Sequence, residues 1–256
     1  MSLIVFAEEQ QTVLLPVIMY HDIMKSSARR DVYTITPQDF EEDLKWLKNN
    51  GYTAVGINEI ISYAENGTAL PEKPVMLTFD DGHYNNIYYA EPLLEKYGMK
   101  GVMFVTGEFC DKSVAEGAKN PAYSYIFWDE QRRMAESGLW DIENHTYYLH
   151  KIGSGHNGVA KLKGESDEEY RIRLRDDFQR ITDKISESCG IRPRAFAYPF
   201  GVLSNMAEEV LTELGYKASF TSYGGVSELQ AGNPESLRLI KRYLRTPQNP
   251  VSSLLK

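Results

Sequence analysis

Short runs of apolar, β-branched and aromatic residues recur along the chain, and segments with a helical period separate them. Runs of this kind predict β-strands, because such side chains suit a pleated and buried surface. Alternating strands and helices predict a parallel sheet, since parallel strands need long crossover connections. About seven or eight such units favour a distorted (β/α)7–8 barrel in a single α/β domain over an open sheet. The predicted strands cover residues 13–19, 52–55, 75–79, 102–105, 140–143, 195–198, 217–220 and 237–240.

Capping residues mark the ends of several helices. Thr36 precedes Pro37 and an apolar face with helical spacing, an arrangement typical of a helix N-terminus. Ser166 and Glu169 have the spacing of a capping box, and Gly190 follows the long amphipathic segment that they begin. Shorter helices are predicted over residues 92–98 and 205–214, and a mobile, glycine-rich loop over residues 153–164.

Composition narrows the class of protein. The 256 residues carry a formal net charge of −8, which would repel a phosphate backbone and disfavours nucleic acid as a partner. No apolar run approaches the roughly 20 residues that a membrane-spanning helix needs. Cys110 and Cys189 fit no metal-ligand spacing. They are interpreted as buried free thiols, with one disulfide as the alternative in an exported protein.

The first residues leave two interpretations open. Residues 3–7 are apolar, with small side chains where signal peptidase requires them, and acidic residues follow. Residues 1–12 are therefore either the remnant of an export signal or a disordered end or first strand, and residues 13–256 form the predicted domain.

The sharpest local pattern is Thr78-Phe79-Asp80-Asp81-Gly82, at the end of a predicted strand. Neighbouring side chains on a strand point to opposite faces, but a turn through Gly82 allows both carboxylates to reach one pocket. One carboxylate can then bind a metal while the other acts as a base. The alternative is a plain Asp-Gly turn with solvated acids.

Further candidate residues follow other predicted strands. His145 and His150 would lie about 140° apart on a helix, so they can share a metal only from a loop. With one carboxylate they would form a 2-His-1-carboxylate set, which leaves coordination positions open, as hydrolytic sites require. A Tyr-Pro-Phe-Gly turn at 198–201 and a Tyr-His pair at 20–21 also follow strands, at the end where barrels assemble sites. Each alone is equally typical of an ordinary turn or a structural histidine.

With these motifs the chain resembles the polysaccharide deacetylase family, also called the NodB-homology family or carbohydrate esterase family four. Residues 78–82 are similar to its first motif, and the resemblance implies that Asp80 is the base and that Asp81 binds metal. His145 begins a segment similar to the second motif, and residues 198–201 resemble the third. The similarity extends from about residue 17 to about residue 243.

The chain departs from the common family pattern in three places. Leu149 stands where the second motif usually has its second histidine, and His150 follows it. Ala197 stands where the third motif usually has an arginine that pairs with the catalytic aspartate. No histidine follows His156, although most members have their general acid in that part of the chain.

These departures resemble the subgroup that deacetylates poly-N-acetylglucosamine in biofilms. That subgroup has a wider histidine spacing and takes its acid from an N-terminal Tyr-His motif, so the resemblance implies that His21 is the acid. Arg242 is the candidate partner of Asp80 in place of the missing arginine, with a basic strand end on the surface as the alternative.

The resemblance also implies the cofactor and the chemistry. The expected cofactor is a divalent metal, zinc first, with cobalt, nickel or iron as alternatives. Asp80 would take a proton from water, and protonated His21 would give one to the departing amine. The implied metal ligands are Asp81, His145 and His150, and the implied oxyanion and substrate residues are Phe200, through its backbone N–H, Tyr198 and Pro199.

The implied substrate is an extracellular N-acetylglucosamine polysaccharide of a biofilm or cell wall, from which acetate is released. The protein is expected to be an exported or cell-surface monomer, and the sequence allows a membrane anchor N-terminal to it. Three alternatives stay open. The first is an enzyme with the same site but another substrate, either an esterase of O-acetylated xylan or a deacetylase of chitin or peptidoglycan. The second is a non-catalytic carbohydrate-binding relative. The third is a phosphoryl-transfer enzyme, which the lack of a Gly-rich phosphate loop disfavours.

Overall fold

The computed structural model describes residues 11–25 and 31–256 of the chain. The strands are β1 (Thr12–Tyr20), β2 (Asp22–Ile23), β3 (Thr34–Ile35), β4 (Thr53–Ala54), β5 (Pro74–Phe79), β6 (Gly101–Val105), β7 (Trp140–Asn144), β8 (Ile152–Gly153), β9 (His156–Asn157), β10 (Ala195–Ala197), β11 (Ala218–Phe220), β12 (Val226–Gln230) and β13 (Tyr243–Leu244). Nine of them form one sheet in the order β11–β10–β7–β6–β5–β1–β12, with β4 on β5 and β13 on β1. All its strand pairs are parallel except β1 with β12.

The sheet curls until the C-terminal segment joins its two sides. Ile240 makes a parallel bridge to Phe220 of β11, and shortly afterwards β13 pairs with β1. The prediction of a distorted barrel in one α/β domain is therefore confirmed. Because the curled strands are parallel, their carboxyl ends lie at the same edge.

Helices cover the outside of the sheet. They are α1 (Pro37–Asn49), α2 (Ile57–Asn66), α3 (Glu91–Tyr97), α4 (Gly107–Glu116), α5 (Trp128–Glu136), α6 (Asp167–Cys189), α7 (Asn205–Glu213) and α8 (Val251–Leu254). The predicted caps are present, because Thr36 accepts from the N–H of Asp39 and Ser166 from that of Glu169. Gly190 ends α6 at φ 75°, a backbone conformation that glycine adopts without strain.

Both faces of the central strands are buried. On β5, Leu77 packs in a cluster with residues of α1, α3, α5 and α6, whereas its neighbour Met76 packs in a second cluster with alternate strand residues and α2. On β6, Phe104 and Val105 divide between the same two clusters. Burial on both faces is why these strands are continuous apolar runs in the sequence.

The prediction of a strand over residues 237–240 is wrong. Pro234 begins a short 3₁₀ helix, Pro234–Leu237, because its fixed φ suits the first position of a helical turn. Leu239 then has φ 55°, which no strand residue adopts. The strand in this part of the chain is instead β13, which pairs with β1. The antiparallel strand β12 was not predicted at all.

The remaining expectations concern the periphery. Part of the predicted glycine-rich loop forms a small antiparallel hairpin of β8 and β9. Cys110 and Cys189 are both free and buried, in agreement with the first interpretation of the thiols. The apolar residues 3–7 lie outside the described residues. Within residues 11–25 and 31–256, no helix has the length and apolar character needed to span a membrane.

Candidate metal and catalytic centre

The carboxyl ends of β1, β5, β7 and β10 surround one cavity of about 420 Å³. These strands lie close together in the sheet, so the residues that follow them converge although they are distant in the chain. The cavity is lined by Arg242 and by residues from each of the four predicted motifs, which are His21, Asp80, Asp81, His145, His150, Tyr198 and Phe200.

A tight turn after β5 brings two adjacent carboxylates to this cavity. Asp81 has φ 70° and Gly82 has φ 75°, so the chain leaves the strand conformation directly after Asp80. Left-handed backbone at a non-glycine residue costs free energy, and residues with such backbone cluster at functional sites. A Cβ on Gly82 would lie 3.3 Å from the side chain of Val105, so the turn packs closely against β6.

Asp80 forms an ion pair with an arginine from the far end of the sequence. Nη1 and Nη2 of Arg242 donate to Oδ1 and Oδ2 of Asp80 at 2.6 and 2.8 Å. Nε of Arg242 donates to the carbonyl of Thr221 at 2.8 Å, which fixes the plane of the guanidinium. Burial raises the pKa of Asp80, but the charges of Arg242 and His145 outweigh it, so the pKa lies below its ordinary value. Asp80 is therefore ionised at neutral pH, as a proton acceptor must be.

His145 and His150 approach Asp81 from a loop and not from a helix. Nε2 of His150 lies 3.0 Å from Oδ1 of Asp81, and Nε2 of His145 lies 3.5 Å from the same oxygen. Thr146, at φ 76°, turns the chain away from a helical course between the two imidazoles. The candidate ligand atoms of the three side chains all lie within 4.8 Å of one another.

The donor set fits a divalent cation. Although His150 is near, Oδ1 of Asp81 is buried without a hydrogen bond of acceptable geometry. Nδ1 of His145 lies 2.8 Å from the carbonyl oxygen of Ala197, which can only accept, so Nδ1 carries the proton and Nε2 is the free ligand atom. Burial lowers the pKa of His145 to about 4, which keeps this imidazole neutral at pH 7. Two imidazoles and a carboxylate are typical of zinc and related ions with open coordination positions.

A third imidazole beside Asp81, that of His83, was not predicted. Its Nε2 lies 3.5 Å from Oδ2 of Asp81, and its Nδ1 lies 3.3 Å from Oδ1 of Asp22, which also accepts from Nδ2 of Asn85 at 2.7 Å. Burial raises the pKa of Asp81, but the neighbouring imidazoles of His150 and His83 outweigh it and hold the pKa well below its ordinary value. The position of His83, directly after Asp-Asp-Gly, was the only signal of its role in the sequence.

His21 lines the same cavity from the end of β1. The parallel register pairs Tyr20 with Phe79, so His21 and Asp80 are the next residues on neighbouring strands. Nδ1 of His21 is buried without a partner among the described residues, and its ring lies 4.9 Å from that of Tyr33. Tyr33 is a second cavity residue that the sequence analysis missed.

Only some residues of the Tyr-Pro-Phe-Gly turn after β10 line the cavity. Phe200 lines it, has φ 57°, and lies with its ring 4.5 Å from that of His150. Tyr198 also lines it, but its hydroxyl donates to Glu208 of α7 at 2.7 Å. Pro199 is buried and is not among the residues that line the cavity.

The fold and the centre together define a protein of the α/β barrel class, with paired carboxylates and histidines at the carboxyl edge of the sheet. The profile of the family described as polysaccharide deacetylase matches residues 67–219. This match covers more than half of the chain, and the chain belongs to the polysaccharide deacetylase family.

Curated relatives agree with this assignment. The poly-β-1,6-N-acetyl-D-glucosamine N-deacetylase of Escherichia coli K12 is 28% identical over 229 residues, which cover 82% of this chain and 34% of that protein. The protein of the same name from Staphylococcus aureus N315 is 26% identical over 190 residues, covering 74% of this chain and 61% of that one. The chain thus spans about a third of the length of the Escherichia coli relative.

Solved structures show the same fold. A de-N-acetylase from Aggregatibacter actinomycetemcomitans aligns with a TM-score of 0.79 and 28% identity, covering 95% of this chain and 99% of that one. IcaB from Ammonifex degensii aligns with a TM-score of 0.77 and 28% identity, covering 94% and 97%.

Proposed function

We propose that this protein removes N-acetyl groups from an extracellular N-acetylglucosamine polysaccharide by metal-dependent hydrolysis and releases acetate. The observation that supports this proposal most directly is the position of Asp80. This carboxylate is paired with Arg242 and is adjacent to the cluster of Asp81, His145 and His150. The names of the Escherichia coli and Staphylococcus aureus relatives support poly-β-1,6-N-acetyl-D-glucosamine as the polymer.

The metal ligands in this proposal are Asp81, His145 and His150, and the proposed ion is zinc, with cobalt, nickel or iron accepting the same donors. When bound, such an ion supplies a Lewis acid for the acetamide carbonyl and lowers the pKa of a coordinated water. His83 lies beside the second oxygen of Asp81, Oδ2, and not beside Oδ1, which faces the two candidate histidine ligands.

Asp80 accepts the proton of the attacking water. Each carboxylate oxygen has two lone pairs, so both oxygens keep acceptor capacity toward the cavity after bonding to Arg242. The bidentate pair also fixes the plane of the carboxylate, and a fixed base requires little reorganisation during the reaction.

His21, in its protonated form, donates to the nitrogen of the departing sugar amine. The bond from the carbonyl carbon to that nitrogen breaks, the carbon leaves as acetate, and the proton stays on the amine. An amine is a poor leaving group without this proton. Adjacent strand ends support this arrangement, because they bring His21 and Asp80 to the same level of the cavity.

The backbone N–H of Phe200 is the proposed oxyanion donor, since an N–H aimed at developing negative charge stabilises acyl-transfer transition states. The exposed aromatic ring of Phe200, together with Tyr33, offers an apolar face to a sugar ring. Tyr198 and Pro199 shape the turn that holds Phe200 in this position.

Acetate release from poly-β-1,6-N-acetylglucosamine oligomers tests the function. We expect release by the zinc-loaded protein, loss after treatment with a chelator, and recovery when zinc is added back. Chitin oligomers, peptidoglycan and acetylated xylan in parallel reactions test the substrate. A metal-loaded protein that releases acetate from none of these polymers would contradict the proposal.

The acid assignment has its own test. His21→Ala should lower the rate of acetate release by about 10²–10⁴-fold, the usual contribution of one general acid, with metal content unchanged. His156→Ala is the matched control, because His156 is exposed on the β9 hairpin. Equal activity of the two variants would show that another group protonates the amine.

A further inference from the structure

The loop between the two candidate histidine ligands is held by a carboxylate from a distant helix. Oδ1 of Asp177, on α6, accepts the N–H of Tyr147 at 2.8 Å, and Oδ2 accepts the N–H of Tyr148 at 2.6 Å. Asp177 is only 7% exposed, and none of the ion pairs among the described residues involves it. Both of its oxygens are thus used by two successive amides of one loop.

We propose that Asp177 is a positioning residue of the metal centre, which sets the distance between His145 and His150 by holding the backbone between them. This inference rests on the proposed metal site and extends it to a residue outside the cavity.

The two histidines are anchored differently. His145 directly follows β7, where its N–H donates to the carbonyl of Val105 and its Nδ1 to that of Ala197. His150 is five residues further on, and its position depends on the course of the loop that precedes it. Asp177 acts at the middle of this loop, so it bears on His150 and not on His145.

The wide spacing of the histidines explains why such a residue is needed. In a helix, each loop N–H would bond to a carbonyl four residues earlier, but helical positions five apart would carry the imidazoles to different sides. Outside a helix, the buried amide of Tyr147 and the partly buried amide of Tyr148 need other acceptors. A single carboxylate accepts one charge-assisted hydrogen bond from each of these two amides.

The opposite side of the loop is held as well. The N–H groups of Gly107 and Glu108, at the start of α4, donate to the carbonyls of Thr146 and Tyr147 at 3.1 and 2.9 Å. A Cβ on Gly107 would lie 2.3 Å from the ring of Tyr147, so α4 and the loop are in tight contact. Donors from α4 and the acceptor from α6 therefore clamp the loop between two helices.

Burial destabilises the ionised form of the Asp177 carboxylate. It raises the pKa of Asp177 to about 6, although the two N–H groups counteract it. A buried charge without an ion-pair partner is rarely retained for stability alone. A role in holding the ligand loop gives a reason for it.

The test is the zinc affinity of Asp177→Asn, measured on folded apoprotein by competition with a chromogenic chelator. Asparagine keeps the shape but replaces one acceptor by an NH₂ group, which would face an N–H. We expect the zinc dissociation constant to rise by about 10–100-fold, the usual effect of losing an outer support of a ligand. Asp176→Asn, at the exposed neighbouring position, is the control and should bind zinc like the wild type.

A double-mutant cycle separates positioning from general stabilisation. In a His150→Ala background the ligand that Asp177 positions is gone, so Asp177→Asn should weaken zinc binding no further. Additive losses, or wild-type affinity in the folded single variant, would overturn the role of Asp177. If Asp177→Asn does not fold, Asp177→Glu, whose longer side chain displaces the carboxylate from the two amides, enters the same cycle under the same criteria. A wild-type protein that binds no metal would instead contradict the proposed function, and this inference with it.

Discussion

Two arginines flank β13, and each makes a buried ion pair with an aspartate from a distant part of the chain. Arg245 pairs with Asp43 through Nε at 2.6 Å. Asp43 also accepts from the hydroxyl of Tyr20 at 3.3 Å and from the N–H of Val251 at 3.1 Å. The carboxylate of Asp43 thus connects β1, α1, α8 and the end of β13. Its hydrogen bonds are made to other groups of the protein and not to a cavity.

The pair of Arg242 and Asp80 has similar chemistry but different surroundings. Both oxygens of Asp80 bond to the one guanidinium, and the carboxylate lines the cavity. Burial raises the pKa of Asp43 in spite of Arg245, whereas Arg242 and His145 outweigh burial and lower the pKa of Asp80. The same kind of ion pair is therefore a structural link where it is enclosed, whereas the pair that lines the cavity holds the carboxylate that we propose as the base.

The largest expected difference is in activity. Asp80→Asn should lower acetate release by about 10²–10⁴-fold, because it removes the proton acceptor, while zinc measured by mass spectrometry stays bound. Asp43→Asn should leave the turnover of the folded protein unchanged, and Asp81→Ala should lose the zinc itself. Similar turnover in the Asp80 and Asp43 variants would abolish the functional distinction between the two pairs.

The next effect is on stability. Arg242→Met and Arg245→Met should each lower the free energy of unfolding by about 3–5 kcal/mol, since each leaves a buried carboxylate unpaired. Denaturant titration at pH 7 measures this cost. Activity per folded molecule should fall only in Arg242→Met, because Asp80 then loses the group that orients it. A stable Arg242→Met protein would mean that the charge of Asp80 is solvated from the cavity.

A smaller effect concerns pH, and its sign differs between the pairs. The folded pKa of Asp43 is raised, so its contribution to stability falls as pH rises above 3.8, the ordinary value. The folded pKa of Asp80 is lowered, so its contribution is complete above 3.8 and is lost as pH falls below it. Each slope is at most about 1.4 kcal/mol per pH unit.

Unfolding titrations of the wild type, Asp43→Asn and Asp80→Asn between pH 2.5 and 6 measure these slopes. The stability advantage of the wild type should shrink with rising pH against Asp43→Asn and grow against Asp80→Asn. Parallel curves for the two variants would contradict the opposite pKa shifts.

The smallest expected effect is that of Tyr20→Phe. It removes only the hydroxyl that donates to Asp43, and Arg245 and the N–H of Val251 remain as partners. We expect a loss of about 0.5–1.5 kcal/mol in the free energy of unfolding at pH 7. A cost as large as that of Arg245→Met would make the hydroxyl, and not the arginine, the main partner of Asp43.

Local signals in the sequence were enough to predict most candidate residues of the site. Asp80 and Asp81 follow the apolar strand β5, and His145 directly follows β7. A side chain at the carboxyl end of a parallel strand has only one edge of the sheet to face. The strands themselves were recognisable because burial on both faces requires continuous apolar runs. The strand predicted over 237–240 failed because Pro234 begins a helical turn that the apolar pattern does not reveal.

The supporting residues could not be found in this way. His83 and Asp177 are ordinary polar residues in their local sequence, and only the packed structure shows them beside Asp81 and the histidine loop. Arg242 was a candidate partner of Asp80, with a surface position as the equal alternative, and it is fully buried against that carboxylate.

By itself, the sequence determined the alternation of strands and helices, the edge at which the site forms, and the chemical groups that reach it, because these depend on local periodicity and on strand ends. Only the tertiary structure decided which charges neutralise one another and which remain poised at the cavity. That outcome depends on barrel closure by the last residues of the chain and on the packing of α6, and contacts over such separations leave no trace in local sequence patterns.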